Sequence, residues 1–234
     1  MKADLIKILY AEAAHTNPRG PTEAQRRLHG HSYRLEIVAR GEVLPDIGWV
    51  VDFAELKQLF APVYEQLDHG YLNKIAGLEE DTTLESVRRW IERQVAPAPP
   101  WFGGVRVGIE GDLAYRPAWL PADDRAELPA RVRFTFEAAQ SLPQLAPGHP
   151  CRRIHGHSYR IEVGGTPAEQ LEQHLPALYQ ALDHRYLNEI PELEQATCER
   201  ICRWAWERLE ARGIAPTVVI TQETPSSKCT YKGE

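Results

Sequence analysis

The hexapeptide HGHSYR occurs at residues 29–34 and again at 155–160. Each copy is followed by LDH-x-YLN, at 67–73 and 182–188, and each half closes on a β-rich run ending in glutamate, VRVGIE with Glu110 and VVITQE with Glu223. Three motifs in one order, twice, make the chain an internal duplication. A duplicated chain aligns with itself, so paired positions show what each half kept. The offset is 126 residues between His29 and His155, 115 between Asp68 and Asp183, and 113 between Glu110 and Glu223. The main drop falls between HGHSYR and LDH, where the second copy has lost a strand end and a turn but no motif.

The 234 residues divide into a first unit at 1–112, a linker at 113–129 with three prolines, and a second unit at 130–234. Units of roughly 110 residues are large enough for separate cores. A net charge of −6 disfavours nucleic acid as a partner. No apolar run has the length of a membrane span and no signal-peptide pattern opens the chain, so a cytoplasmic protein is expected. Cys151, Cys198, Cys202 and Cys229 all lie in the second half without a paired framework and are read as thiols.

The first half reads strand, strand, helix, helix, strand. Residues 4–14 form the first strand, and 31–40 alternate, with Tyr33, Leu35 and Ile37 on one face and Arg34 and Glu36 on the other. Asp52 and Glu55 predict a capping box for a helix with the apolar stripe Phe53, Leu56, Phe60, Val63 and Leu67, kinked at Pro62. Thr82 or Thr83 caps a second helix carrying Leu84, Val87, Ile91 and Val95. In the second half Thr166, Pro167 and Glu169 supply N-cap, N1 and N3, Pro176 repeats Pro62, and Gly213 ends the second helix. The unit is α+β: an antiparallel sheet with two helices on one face.

His29 and His31 present two imidazoles on one strand face, with no side chain at Gly30 between them. His15 ends the preceding strand and can face them across the hairpin, which completes the three-histidine ligand set of a catalytic zinc with one open position. Asp68–His69 and Asp183–His184 pair a carboxylate with an imidazole, either as a general acid/base unit or as a histidine complementing a helix C-terminus; the strict repetition favours the first. Cys151, four residues before His155, is open to three readings: a fourth ligand, an activated base or nucleophile, or an inert thiol. Arg26–Arg27 and Arg152–Arg153 either hold a phosphate chain or are solvated charge.

These residues carry a resemblance. Each half resembles the 6-pyruvoyl-tetrahydropterin synthase family, and within it the 6-carboxy-tetrahydropterin synthases of queuosine biosynthesis. The carriers are AEAAH (11–15), HGHSY, GWVVDFAELK (48–57), LDHGYLN, PGHPCRRIHGHSY (147–159), LDHRYLN and QETPSSKCTYKGE (222–234). The resemblance implies two tandem tunnel-fold units, each a four-stranded antiparallel sheet with a helix pair, closing with neighbours into barrels. It implies zinc on His15, His29 and His31, a base at Cys151, the assisting Asp–His role at Asp68–His69 and Asp183–His184, and pterin anchors at Glu110 and Glu223. Thr83 and Thr197 are placed beside the pterin. A pterin substrate and a homotrimer of tandem chains, one ring of first halves on one of second halves, complete the expectation.

The halves depart from the pattern in complementary ways. The first has Gln25 where the family has cysteine; the second has Cys151 but carries Gln140 opposite His15. An amide oxygen is a poor zinc ligand beside imidazole, so the second site is expected to bind metal more weakly. Synthase chemistry is therefore expected at the second-half site, with Cys151 serving its own strand rather than reaching the other half. The rivals are a related pterin side-chain lyase, or 6-pyruvoyl-tetrahydropterin synthase-like chemistry, at the first-half zinc, and a non-catalytic pterin-binding protein.

Overall fold

The computed structural model describes residues 1–233; the side chains at 168 and 169 lie outside that description, and with them the N3 role expected of Glu169. In the first half β1 (Lys2–His15) pairs antiparallel with β2 (His29–Glu42). Between them a four-residue helix, α1 (Glu23–Arg26), is held by a capping box between Thr22 and Gln25. Then follow α2 (Phe53–Leu67), the two-residue β3 (Gly70–Tyr71), α3 (Leu84–Val95) and β4 (Phe102–Ile109). The sheet order is β3-β1-β2-β4. The linker is not featureless: β5 (Ala118–Leu120) leaves it to pair with the second sheet. That sheet comprises β6 (Arg131–Gln140), β7 (His155–Thr166), β8 (Arg185–Tyr186), β9 (Ala215–Thr224) and β10 (Ser227–Tyr231), with α4 (Ala168–Leu182) and α5 (Cys198–Glu210) on one face. Its order is β10-β9-β7-β6-β5, with β8 on β6. Each half is thus a tunnel-fold unit, and the second carries the linker strand as well.

The helices form where amphipathic stripes need cover. Leu56, Phe60, Val63 and Leu67 of α2 are buried, as are Val87, Trp90, Ile91 and Val95 of α3. Burying each such side chain contributes about 1.5–3 kcal/mol. Phe53 and Leu84, placed on these stripes by periodicity, are exposed instead, each at the first residue of its helix. Asp52 caps α2 through Ala54 N, but Glu55 does not close the box; it accepts from Trp101 Nε1 at 3.1 Å. Thr83, not Thr82, caps α3. Thr166 ends β7, and Pro167 takes the N-cap position without a side-chain cap. Both α2 and α4 run through Pro62 and Pro176 as single elements. Gly213 follows α5 at φ +79°, a left-handed position that suits glycine.

Each half has its own core, one built on Leu35, Phe60 and Trp90, the other on Phe134, Tyr159 and Ile161. The halves meet where β1 and β2 lie against β6 and β7, and the crossing point is glycine on glycine. A Cβ built at Gly30 would stand 2.4 Å from Gly156 Cα, and one at Gly156 would stand 2.2 Å from Gly30 Cα. Neither backbone can retreat without breaking its own ladder. Gly30→Ala is expected to lower stability by at least about 2 kcal/mol in urea denaturation. An unchanged midpoint would show that the strands can separate at no cost.

Candidate active sites

His15 and His29 are register partners on β1 and β2, and His31 lies two residues along on the same face. The Nε2 atom of His15 stands 3.0 Å from Nε2 of both His29 and His31. Each Nδ1 is already committed. His15 Nδ1 donates to Thr82 Oγ1 at 2.8 Å, whose own proton goes to Thr16 O. His29 Nδ1 donates to Arg27 O at 2.8 Å and His31 Nδ1 to Glu137 Oε2 at 2.6 Å. With the protons on Nδ1, three nitrogen lone pairs converge on one point, an arrangement that a cation relieves. The donor set therefore fits a three-histidine metal site.

A cavity of about 200 Å³ opens on this triad, walled by Tyr33, Leu84, Ile109 and Leu113 with Gln25 and Thr83. It also contains His184, from the other half. The His184 ring lies 4.3 Å from that of His29, and its Nδ1 is 2.7 Å from Asp183 Oδ2.

The second-half site is built reciprocally. His69 and Asp68 come across from the first half: His69 Nδ1 is 2.9 Å from Asp68 Oδ2, and its Nε2 is 3.5 Å from Cys151 Sγ. Burial works to raise the Asp68 carboxyl, but hydrogen bonds from His69 and Glu12 N outweigh it and hold it low. Cys151 sits in a single helical turn, residues 150–152, whose N-cap is His149. His69, Cys151 and His155 offer ligand atoms within 4.8 Å of one another, so Cys151 does lie beside its own strand, as expected. The Asp–His pairs, by contrast, each stand in the site of the other half. Both tight turns, with His69 and His184 at φ 52°, reach across the boundary.

His155 and His157 repeat the first-half orientation, with Nδ1 on Arg153 O and on Glu12 Oε2, each at 2.8 Å. Where His15 would complete the set stands Gln140, whose amide bonds the Glu223 carboxylate and lies 3.5 Å from His155 Nε2. Glu223 Oε1 also faces His157 Nε2 at 3.1 Å. Among the described residues, His155, His157 and Glu223 form a further group able to hold a metal ion. Burial would raise Glu223, but hydrogen bonds from His157 and Gln140 hold it at about 2. Burial raises the Cys151 thiol, and Glu223 adds to that, so the thiol is not activated in the resting site.

The strand register corrects one pairing. Tyr33 opposes Ile109 and Arg34 opposes Gly108, while Arg160 opposes Gln222. Tyr33 and Tyr159 are equivalent, so the counterpart of Glu223 is Ile109, not Glu110. Glu110 points to the other sheet face, with Oε1 3.6 Å from Arg34 Nε, and lines a cleft with Ser32, Ser158 and Arg160 away from the histidines. A one-residue slip exchanges the two faces of a strand. Thr83 and Thr197 are the N-caps of α3 and α5, and Thr83 lines the first cavity. Glu12, Glu137, Ser32 and Ser158 are not among the residues expected from the motifs, although the duplication marks them: both halves keep Glu-Ala-Ala and the serine of HGHSY.

The chain belongs to the 6-pyruvoyl tetrahydropterin synthase family, whose model matches residues 6–106 and 130–234. It is similar to a dihydroneopterin monophosphate aldolase of Pyrococcus furiosus, at 37% identity over 41% of this chain and 76% of the relative. It is also similar to a 6-carboxy-5,6,7,8-tetrahydropterin synthase of Synechocystis, at 36% identity over 35% of this chain and 74% of the relative. Among solved structures, Caenorhabditis elegans 6-pyruvoyl tetrahydropterin synthase aligns over 47% of this chain and 96% of its own, at 21% identity and a TM-score of 0.39. Among the described residues no helix is long and apolar enough to cross a membrane.

The buried histidines set the acid response of the metal-free protein. Burial is the main cause that lowers His15, His29, His31 and His155, the last two to about 3 from an ordinary 6.5. These four are neutral when folded and protonated when unfolded below pH 6.5, so each costs stability as pH falls through that value. Two groups act oppositely. Burial raises the Glu137 carboxyl. His157 is raised to about 9 by Glu12 and Glu223 against its own burial, and its contribution is complete by pH 6.5. Four groups against one below pH 6.5 give a net loss. The urea midpoint of metal-free protein is expected to fall from pH 6.5 to pH 5; a rise over that interval would contradict the burial assigned to the triad.

Proposed function

We propose that the chain is a zinc-dependent pterin enzyme acting as a 6-carboxy-tetrahydropterin synthase does: 7,8-dihydroneopterin triphosphate and water give 6-carboxy-tetrahydropterin, acetaldehyde and triphosphate. The chemistry is assigned to the second-half site. The observation that carries this is the line Cys151 Sγ, His69 Nε2, His69 Nδ1, Asp68 Oδ2, assembled from both halves at 3.5 and 2.9 Å. Asp68 orients the imidazole, and His69 takes the Cys151 proton only as the substrate reacts, so the pair moves protons at the substrate side chain. Glu223 supplies the carboxylate that pairs with the ring amide and amino group, on releasing Gln140 and His157 to the ligand. Zinc, when bound, polarises a side-chain oxygen; His15, His29 and His31 hold it in the first half, and His155 and His157 do so more weakly in the second.

A second reading has one specific observation in its favour. The first-half triad has its own cavity and its own base pair, Asp183–His184, but no cysteine. That set suits side-chain cleavage without a thiol, and the Pyrococcus relative is named an aldolase. Ile109 weighs against it, because the first cavity then lacks a carboxylate for the ring.

Cys151→Ala is expected to lower turnover of dihydroneopterin triphosphate at least about 100-fold, and Asp68→Asn about 10-fold. Full turnover in Cys151→Ala together with loss in His29→Ala would move the chemistry to the first-half site.

Assembly is proposed to follow from open sheet edges. Residues 2–12 of β1 pair only with β2, and β4 has no outer partner within the described chain. Unpaired edges of this length recruit another strand. Three chains, supplying three first units and three second units, are expected by light scattering at micromolar concentration. A monomer would remove the proposed rings, and a dimer would replace rings of three by rings of four.

A further inference from the structure

The carboxylates of Glu12 and Glu137 take no part in the chemistry assigned above. Each is buried, Glu137 completely and Glu12 at 6% exposure, and each leans out of its own half. Glu137, on β6 of the second half, meets His31 Nδ1 of the first half at 2.6 Å. Glu12, on β1 of the first half, meets His157 Nδ1 of the second half at 2.8 Å. Ser158 Oγ donates to Glu137 at 2.7 Å and Ser32 Oγ to Glu12 at 2.6 Å. The serines close the cycle, since Ser32 N donates to Ser158 Oγ and Ser158 N to Ser32 Oγ, each at 3.1 Å. Gly111 leaves the space for Glu137: a Cβ there would fall 1.6 Å from Glu137 Oε1.

We propose that Glu137 and Glu12 are positioning residues that act across the boundary, Glu137 fixing the metal-binding tautomer of His31 and Glu12 that of His157. Thus neither half binds its metal at full affinity without the other. The inference rests on the reading of the histidines as metal ligands and on no pterin activity. A desolvated carboxylate is costly unless paired, and the partner each finds is an imidazole Nδ1. Such a pairing holds the proton on Nδ1, leaves Nε2 as the donor and makes that donor more basic. In the first-half triad the other two orienting groups, Thr82 Oγ1 and Arg27 O, are neutral. Glu137 is therefore the carboxyl partner that this ligand set receives, and it comes from the other half of the chain. Sequence distance hides the link: His31 and Glu137 are 106 residues apart.

The test is a metal titration of the full chain, stripped and then loaded with cobalt(II) or zinc(II) against a chromophoric chelator. Wild type is expected to hold one tight equivalent per chain. Glu137→Gln, close to isosteric, is expected to weaken that equivalent about 10- to 100-fold. Glu12→Gln, an equally buried carboxylate on the same boundary, should leave it within about twofold. Nitrogen-15 shifts of the His31 ring should report Nδ1–H in wild type and a mixture of tautomers in Glu137→Gln, a change that loosening of the boundary alone would not give. Should Glu137→Gln fail to fold, Ser158→Ala removes the hydroxyl holding Glu137 and should still weaken the tight site measurably. Unchanged affinity in Glu137→Gln, or equal weakening by Glu137→Gln and Glu12→Gln, would overturn the proposal. Turnover plays no part in these readings. A chain that binds metal in this way but leaves dihydroneopterin triphosphate untouched would keep this inference and lose the synthase assignment.

Discussion

Two backbones touch at Gly30 and Gly156, and both candidate sites depend on that contact. With no side chain at either position, β2 and β7 come close enough for Ser32 and Ser158 to exchange hydrogen bonds and for each half's glutamate to reach the other half's histidine. A methyl group at either glycine would hold the strands apart, and two buried carboxylates would lose their partners. A buried carboxyl without a hydrogen-bond partner is costly, so each crossed pair depends on the contact. The LDH turns are fixed within their own halves: His69 N and His184 N bond to Glu12 O and Glu137 O at 2.7 and 2.6 Å. Each Asp–His pair is thereby hung on the backbone of the strand whose glutamate crosses over.

The two sites share a frame and differ in what the frame holds. The first has three imidazoles and an apolar wall; the second has two imidazoles, a thiol and a carboxylate. Gln140 and Glu223 explain the difference physically. Loss of the third histidine leaves a space that Glu223 enters, with the Gln140 amide as its donor and His157 as its countercharge. In the first half the corresponding strand position is Ile109, and the space is filled by His15. Histidine with isoleucine, and glutamine with glutamate, are two self-consistent ways of filling one volume.

The duplication made much of this legible. Both units, their helix pairs, the histidine strands and the LDH turns follow from motifs that appear twice, and the buried stripes of α2 and α3 follow from period. What escaped was local competition or distance. Glu55 looked like a capping partner, but Trp101 offers it a donor. Glu110 looked like the partner of Glu223 because both end a β-rich run; strand pairing counts from Tyr33 instead, and the count lands on Ile109. The linker strand β5 is not legible in the sequence, because three residues carry no period. The crossing of the Asp–His pairs and of Glu12 and Glu137 is a property of how two sheets meet, and no spacing along one chain encodes it.

Joining two units in one chain changes what such a contact permits. Where identical subunits meet about a twofold axis, every substitution appears on both sides, so a site cannot lose its cysteine in one copy and its third histidine in the other. In the tandem chain the two sides mutate separately, and the symmetric network of Gly30, Gly156, Ser32, Ser158, Glu12 and Glu137 is kept while the sites it supports have diverged. That pattern separates the requirements of the frame from those of the chemistry. Residues shared by both halves at the boundary answer to packing and charge pairing. Those that differ, Gln25 against Cys151, His15 against Gln140 and Ile109 against Glu223, are where the two sites can be told apart by experiment.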